Sequence, residues 1–276
     1  VCPVPTIVDK DETVDLLRGE FSAVTELGAG LMADQWELPT CLPGWSVRDA
    51  LSHMIGTESM LLGEPTPTVE VVGADRLANP VAQANEVWVE SMRSVPGPVL
   101  LERFVDVTRR RLAVLDAMVQ DDFDAPSWTP AGRDETFGRF MRIRHYDCFM
   151  HEHDMRQAVG APPRLDPADL DSSLDEVTTG LGYIVGRRAG MPDGSRVRID
   201  LHGGVERTML VAVDGRAAVV DQLVDPPTVG LAMPVDLFLR LTGGRADGAD
   251  RIADEVAVSG DAVLAHRLVT NLAFTI

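Results

Sequence analysis

Cysteine is scarce in this chain: 276 residues hold only Cys2, Cys41 and Cys148. They are odd in number, widely spaced and form no Cys-x-x-Cys pair. That excludes a disulfide framework and a thiolate zinc knuckle as organising features, and it suits a reducing compartment. Positive charge is in short supply as well. Lys and Arg total 25 against 43 Asp and Glu, a net charge of -18. Nucleic-acid backbones and anionic membrane surfaces are bound chiefly through Lys and Arg, so neither is expected as a partner. Long apolar runs are missing too; none reaches the roughly 20 residues that cross a bilayer. No basic-then-apolar segment opens the sequence, so no signal peptide is read there. The expectation is a soluble protein of the cytoplasm.

What is present divides by period. Apolar residues make up 45% and charged residues 25%, an ordinary globular balance, and the length is comfortable for two domains. Up to about residue 160 the pattern is helical. Val14, Leu17, Phe21, Val24, Leu27 and Leu31 recur at steps of three and four, which marks one apolar helix face. Pro39, Pro43 and Gly44 break that pattern, and Ser46 is a good N-cap for a second helix running to about Leu62, with Asp49 placed to help its first turn. Residues 63–81 carry Pro and Gly without a clean period and read as a loop. A third helix shows in Leu101, Phe104, Val105, Thr108, Leu112, Leu115 and Val119. A second loop follows over 121–132, and a fourth helix spans about Thr136 to Val159. Four helices joined by long loops predict a four-helix bundle over residues 1–160.

Gly160-Ala161-Pro162-Pro163 punctuates the chain as a domain boundary. Beyond it one more helix places Leu170, Leu174, Val177, Leu181 and Ile184 on one face, with Pro167 in its first turn. Alternation then takes over. Val197, Ile199 and Leu201 face one way, Arg198 and Asp200 the other, and Gly203-Gly204 and Asp214-Gly215 are hairpin signals. Short helices near 235–241 and 262–272 close the chain. The expected class is α plus α+β, with a small α+β domain over residues 165–276.

The chemistry concentrates in the fourth helix, in Arg144-His145-Tyr146-Asp147-Cys148-Phe149-Met150-His151-Glu152-His153-Asp154. At about 100° per residue, Asp147, His151 and Asp154 share one face. Phe140, Ile143, Met150 and Ala158 neighbour that face, so it should turn toward the bundle core. Arg142, His145, Glu152 and Arg156 lie opposite and read as solvated, as does His153. Buried carboxylates are tolerated when paired or metal-bound, and bundle cores build metal sites from inward side chains of facing helices. A third ligand would come from another helix, and His53 on the second helix is the best candidate. Two His and one carboxylate leave coordination positions open, the pattern of a catalytic rather than a structural zinc, though the mixed N/O set also suits other divalent ions. Asp154 would fix a ring N–H of His151 or bond a substrate. Each residue has a plainer alternative. Asp147 and His151 can be an intrahelical pair, His53 a satisfied core histidine, and Cys148 a buried inert thiol. Glu152 between His151 and His153 is not a zinc-protease motif, which needs His residues four apart.

Two of these stretches resemble a known family. Trp36-Glu37-Leu38-Pro39-Thr40, followed by the run from Leu42-Pro43-Gly44-Trp45-Ser46-Val47 to His53, is similar to the entry of a DinB-type metal-binding bundle. The pattern Asp147-x-x-x-His151-x-x-Asp154-x-Arg156 is similar to that family's acid-x-x-x-His-x-x-Asp signature. The chain most resembles the mycothiol-dependent maleylpyruvate isomerases, which add a smaller, sterol-carrier-like α+β domain after the bundle. The resemblance implies zinc on His53, Asp147 and His151, with Asp147 where the isomerase has Glu. It also implies mycothiol as thiol cosubstrate, a small electrophile such as maleylpyruvate as substrate, and a functional arginine in the second domain, Arg240 or Arg245. The activity so implied is S-transfer or thiol-assisted isomerisation. A metal-containing binding protein for small molecules or lipids, and a zinc hydrolase acting through activated water, are the competing classes.

Overall fold

A computed structural model describes residues 5–71, 79–246, 248–251 and 254–275. Cys2 and most of the second half of the loop expected at 63–81 lie outside the described residues. The chain forms two compact units, the first ending at Arg164 and the second beginning at Leu165.

The first unit is built on α1 (Lys10–Ala29), α2 (Val47–Leu61), α3 (Pro80–Met92), α4 (Gly97–Ala117), the short α5 (Gln120–Asp124) and α6 (Phe137–Val159). Their ends are set by local chemistry. Asp9 caps α1 by accepting from Glu12 N at 2.8 Å. Ser46 and Asp49 cap each other's backbone at the start of α2, and Thr136 caps α6. Gly160 ends α6 at φ 73°, a left-handed conformation that glycine adopts without steric cost. The apolar stripes meet in one core holding Leu17 and Phe21 of α1, Leu51 and Met54 of α2, Phe104 and Leu115 of α4, and Met141 and Cys148 of α6. Phe21 and Phe104 pack edge to face, with centroids 5.8 Å apart. Trp36, from a 3-10 turn after α1, is buried between Gly28 and Gly97, where glycine lets the backbone come close.

The unit carries more structure than the period predicts. Helix α3 begins at Pro80, the end of the stretch read as a loop, with Asn79 accepting from Ala82 N at 2.9 Å. Only Val89 and Met92 of it are fully buried, so its apolar signal is thin. The expected loop at 121–132 contains α5 and the start of a hairpin, β1 (Pro126–Thr129) with β2 (Gly132–Thr136), paired antiparallel.

The second unit opens with α7 (Pro167–Tyr183), capped by Asp166, with Leu170, Leu174, Val177 and Leu181 fully buried. Five strands follow: β3 (Arg196–His202), β4 (Arg207–Asp214), β5 (Arg216–Val219), β6 (Val229–Pro234) and β7 (Ala257–Gly260). They form one sheet in the order β5-β4-β3-β6-β7. β3 and β6 run parallel at its centre and the other pairs are antiparallel. Both expected glycine turns join antiparallel neighbours, and Gly203 and Gly215 take positive φ there. Helices α8 (Val235–Thr242), α9 (Gly248–Arg251) and α10 (Ala262–Val269) complete the unit. No helix among the described residues is long and apolar enough to cross a membrane.

Candidate metal centre

His53 lies in the second turn of α2, while Asp147 and His151 stand one turn apart on α6 and face it. His53 Nε2 is 3.1 Å from Asp147 Oδ2, and His151 Nε2 is 3.5 Å from Asp147 Oδ1. The imidazole centroids are 4.7 Å apart. One donor atom from each of the three residues lies within 4.8 Å of the others, so a single ion can be reached by all three. The histidines are buried and Asp147 is partly exposed. The donors fit a divalent cation: two imidazole nitrogens and a carboxylate, turned inward together, suit zinc and related ions.

Each ligand candidate has a neighbour on its far side. Asp154 Oδ2 lies 3.2 Å from His151 Nδ1, an ionic contact outside hydrogen-bond geometry that places a carboxylate behind the ring. Cys41 Sγ donates to Asp154 Oδ1 at 3.1 Å. Asp147 pairs with the Arg144 guanidinium, which also donates to Glu58 Oε1 at 2.9 Å and to the Cys148 sulfur at 3.3 Å. Arg111 meets the other Glu58 oxygen at 3.3 Å. The line Arg111–Glu58–Arg144–Asp147 is therefore an alternating charge chain running out of the core to the cluster, with its first three members almost fully buried.

These contacts set the charge states. Burial opposes ionisation of Asp147, but Arg144 and the two imidazoles outweigh it and hold the carboxyl well below the usual range. Burial lowers His53, and Asp147 only partly compensates. Burial opposes protonation of His151 as well, yet Asp147 and Asp154 together raise it. For Cys148, burial pushes the thiol well above its ordinary value against the pull of Arg144, which makes it a poor nucleophile.

The face of α6 opposite Asp147 corrects an expectation. His145 and Glu152 were expected in solvent, yet both are fully buried, and His153 is buried too. Glu152 accepts from Arg156 at 2.7 Å and faces Arg164 at 3.3 Å, while Arg164 also pairs with the buried Glu20 of α1. His153 Nε2 is 3.0 Å from Arg164 O, and its ring packs on Phe149. Glu152 and His153 are inside because Arg156 and the segment after α6 supply their partners, which helical period alone cannot reveal.

Arg240 lies in the last turn of α8, and its Nε is buried without a hydrogen-bond partner among the described residues. Arg245 follows in the turn after it and donates to Gly243 O at 2.8 Å. Both belong to the second unit.

Several neighbours of the cluster were given no role at the site by sequence reasoning, although Trp45 stands in the run that carries the family resemblance. Trp45 turns its indole toward both imidazoles. Glu58 and Arg111 look like ordinary helix-surface charges in the sequence. Arg144 was within reach of the period, since it sits three residues before Asp147 on the same face.

The model of the mycothiol maleylpyruvate isomerase N-terminal domain family matches residues 17–156. Among solved structures, a mycothiol-dependent maleylpyruvate isomerase superposes with a TM-score of 0.59 at 16% identity, covering 92% of this chain and 95% of that one. A histidine-to-alanine mutant of such an isomerase superposes at 0.55 with 15% identity, over the same shares of both chains. At these identities the likeness shows the fold. No curated protein matches by sequence.

Proposed function

The chain belongs to the mycothiol maleylpyruvate isomerase N-terminal domain family, and from that premise we propose that it is a zinc-dependent enzyme using mycothiol against a small electrophile. The observation that carries the proposal is the convergence of His53, Asp147 and His151 from two helices. A divalent ion bound by these residues would keep the sulfur of an adjoining thiol ionised near neutral pH, where a free thiol is mostly protonated.

The chain's own residues prepare that state. Arg144 keeps Asp147 ionised, so its oxygens are available as donors. Burial keeps His53 neutral, the form that donates a nitrogen lone pair. Asp154 steadies the ring of His151. A thiolate delivered there can add to a conjugated double bond; the bond it leaves single rotates, and expulsion of the thiolate restores the alkene with changed geometry. No net oxidation or reduction occurs, and the thiol is returned. Where the electrophile instead carries a leaving group, the sulfur stays attached and the outcome is S-transfer. A small dicarboxylate substrate needs a positive contact, and Arg240 or Arg245 is assigned that part.

Metal analysis of the purified protein tests the core of the proposal. The wild type is expected to hold one equivalent of zinc, and His53→Ala to lose most of it; full metal retention in the variant overturns the ligand set. Turnover is the second arm. Product formation from maleylpyruvate, or conjugation of chlorodinitrobenzene, should require mycothiol. Turnover indifferent to the thiol would favour a hydrolase. Stoichiometric metal with no turnover of any electrophile would favour a binding protein. Replacing the substrate-contacting arginine by Met should raise KM for a dicarboxylate far more than KM for an uncharged electrophile.

A further inference from the structure

One wall of the cluster plays no part in that proposal. Trp45 stands just before α2 with its indole tilted against both imidazoles, 5.3 Å from His53 and 5.8 Å from His151 between centroids. The turn carrying it is tightly tied. Thr40 N and Oγ1 both donate to Trp45 O, at 2.9 and 2.8 Å, and Trp45 N donates to Leu42 O at 3.1 Å. Those bonds hold the backbone. The indole itself is held from α3, where Glu86 Oε2 accepts its Nε1–H at 2.9 Å.

Glu86 is in turn anchored. Its other oxygen pairs with Arg93, and Arg93 reaches Asp49 Oδ2 at 3.2 Å. Asp49 is the residue that caps α2 beside Ser46. A closed bracket results, leading from α3 through Glu86 to Trp45, along the turn to the start of α2, and back to α3 through Arg93. An indole has one donor, so its single bond to Glu86 selects one orientation of the ring.

The two imidazoles differ in what orients them. A metal-ligating histidine ordinarily has its second ring nitrogen fixed by a hydrogen bond. His151 Nδ1 makes no hydrogen bond among the described residues but has a carboxylate oxygen of Asp154 as ionic neighbour at 3.2 Å. His53 Nδ1 is buried with no hydrogen-bond partner among the described residues, and the one carboxylate contact given for its ring, Asp147, is at Nε2. The χ2 torsion of histidine is broad, so without a bond at Nδ1 packing must help the Asp147 contact at Nε2 to select the ring angle. Trp45 is the aromatic surface packed on that ring.

We propose that Glu86, acting through Trp45, is a positioning residue that sets the imidazole of His53 for ion binding, in place of a hydrogen bond at its Nδ1. The proposal rests on the ligand set proposed above. The test is a Co2+ titration of the full chain, read both as a dissociation constant and as quenching of the part of the tryptophan fluorescence that Trp45→Phe removes. Glu86→Ala is expected to weaken Co2+ binding about tenfold or more and to alter the Trp45 signal. Glu86→Gln, whose amide oxygen can accept the same bond, should stay near wild type. In a Trp45→Phe background, which keeps an aromatic plate but has no donor, Glu86→Ala should cost less than about threefold. Trp45→Leu removes the plate while leaving Glu86 and Arg93 paired, and should reproduce the loss even if Glu86→Ala fails to fold.

Wild-type affinity in Glu86→Ala or in Trp45→Leu overturns the proposal. So does an equal Glu86→Ala loss with and without the indole, which would assign the effect to the Arg93–Asp49 arm. A wild-type protein that binds no Co2+ sinks the ligand set and the bracket's role with it. Wild-type binding with insensitive variants sinks the bracket alone.

Discussion

At the scale of single residues, the interior of the first unit is unusually ionic beside the cluster. Glu58 lies between Arg111 and Arg144, and all three are almost completely out of solvent. Removing one member of such a set strands the others in a medium that solvates charge poorly. Glu58→Leu is therefore expected to cost about 3–5 kcal/mol of unfolding free energy, measurable by urea titration. The same substitution should loosen metal binding, because Arg144 would no longer be held against Asp147. The cysteines make a second residue-scale contrast. Cys148 is fully buried and Cys41 is exposed. Brief treatment of native protein with iodoacetamide should label Cys41 and spare Cys148, with Cys148 reacting only after denaturation; mass mapping of the labelled peptides decides it.

At the scale of elements, close approach and capping settle where helices start and how tightly they pack. Ser46 and Asp49 form a reciprocal cap at the beginning of the helix that carries His53. Ser46→Ala should lower stability by about 1 kcal/mol. A side chain at Gly97 would run into the indole of Trp36, whose nearest ring atom stands 2.2 Å from where the Cβ would be. Gly97→Ala should thus cost about 1–3 kcal/mol from overpacking, seen as a lower thermal midpoint with unchanged helical content. In the sheet, Asp200 of β3 accepts from Arg198 at 2.7 Å and from Thr208 of β4 at 2.6 Å. The Arg198 bond, with help from Thr208, holds its carboxyl below the ordinary value. A depressed carboxyl stabilises the fold above its unfolded value of about 3.9 and loses that contribution as pH falls through the lower folded value. The wild type should therefore lose its small advantage over Asp200→Asn, under about 1 kcal/mol for so exposed a group, on acidification below about pH 4.

At the scale of the whole molecule, the net charge of -18 sets which partners the surface favours. Duplex DNA should remain unshifted by the protein in a gel assay at about 0.15 M salt, since few lysines and arginines are available to displace phosphate counterions. The fold itself is shared with solved maleylpyruvate isomerase structures over 92% of the chain at only 16% identity. Identity that low with coverage that high means most side chains differ while the fold is kept, as expected when volume and burial, more than identity, determine the fold.

The sequence by itself determined the elements whose signals are local. Periodic apolar stripes mark α1, α2, α4, α6 and α7, Ser46, Thr136 and Pro167 stand at helix starts, and Gly203-Gly204 and Asp214-Gly215 stand at the β3–β4 and β4–β5 turns. It also singled out Asp147, His151 and Asp154 on one helix face, because a helix has a known angle per residue. Tertiary structure decided what lies across from that face: that His53 reaches it, that Arg144 is locked by Glu58, and that Trp45 is pinned by a glutamate of a helix the period did not disclose. It also decided that His145 and Glu152 are inside. The division has one cause. A cap or a periodic stripe is made by residues a few positions apart, whereas burial of a charge becomes tolerable only through partners brought from tens of residues away, and no local pattern records them.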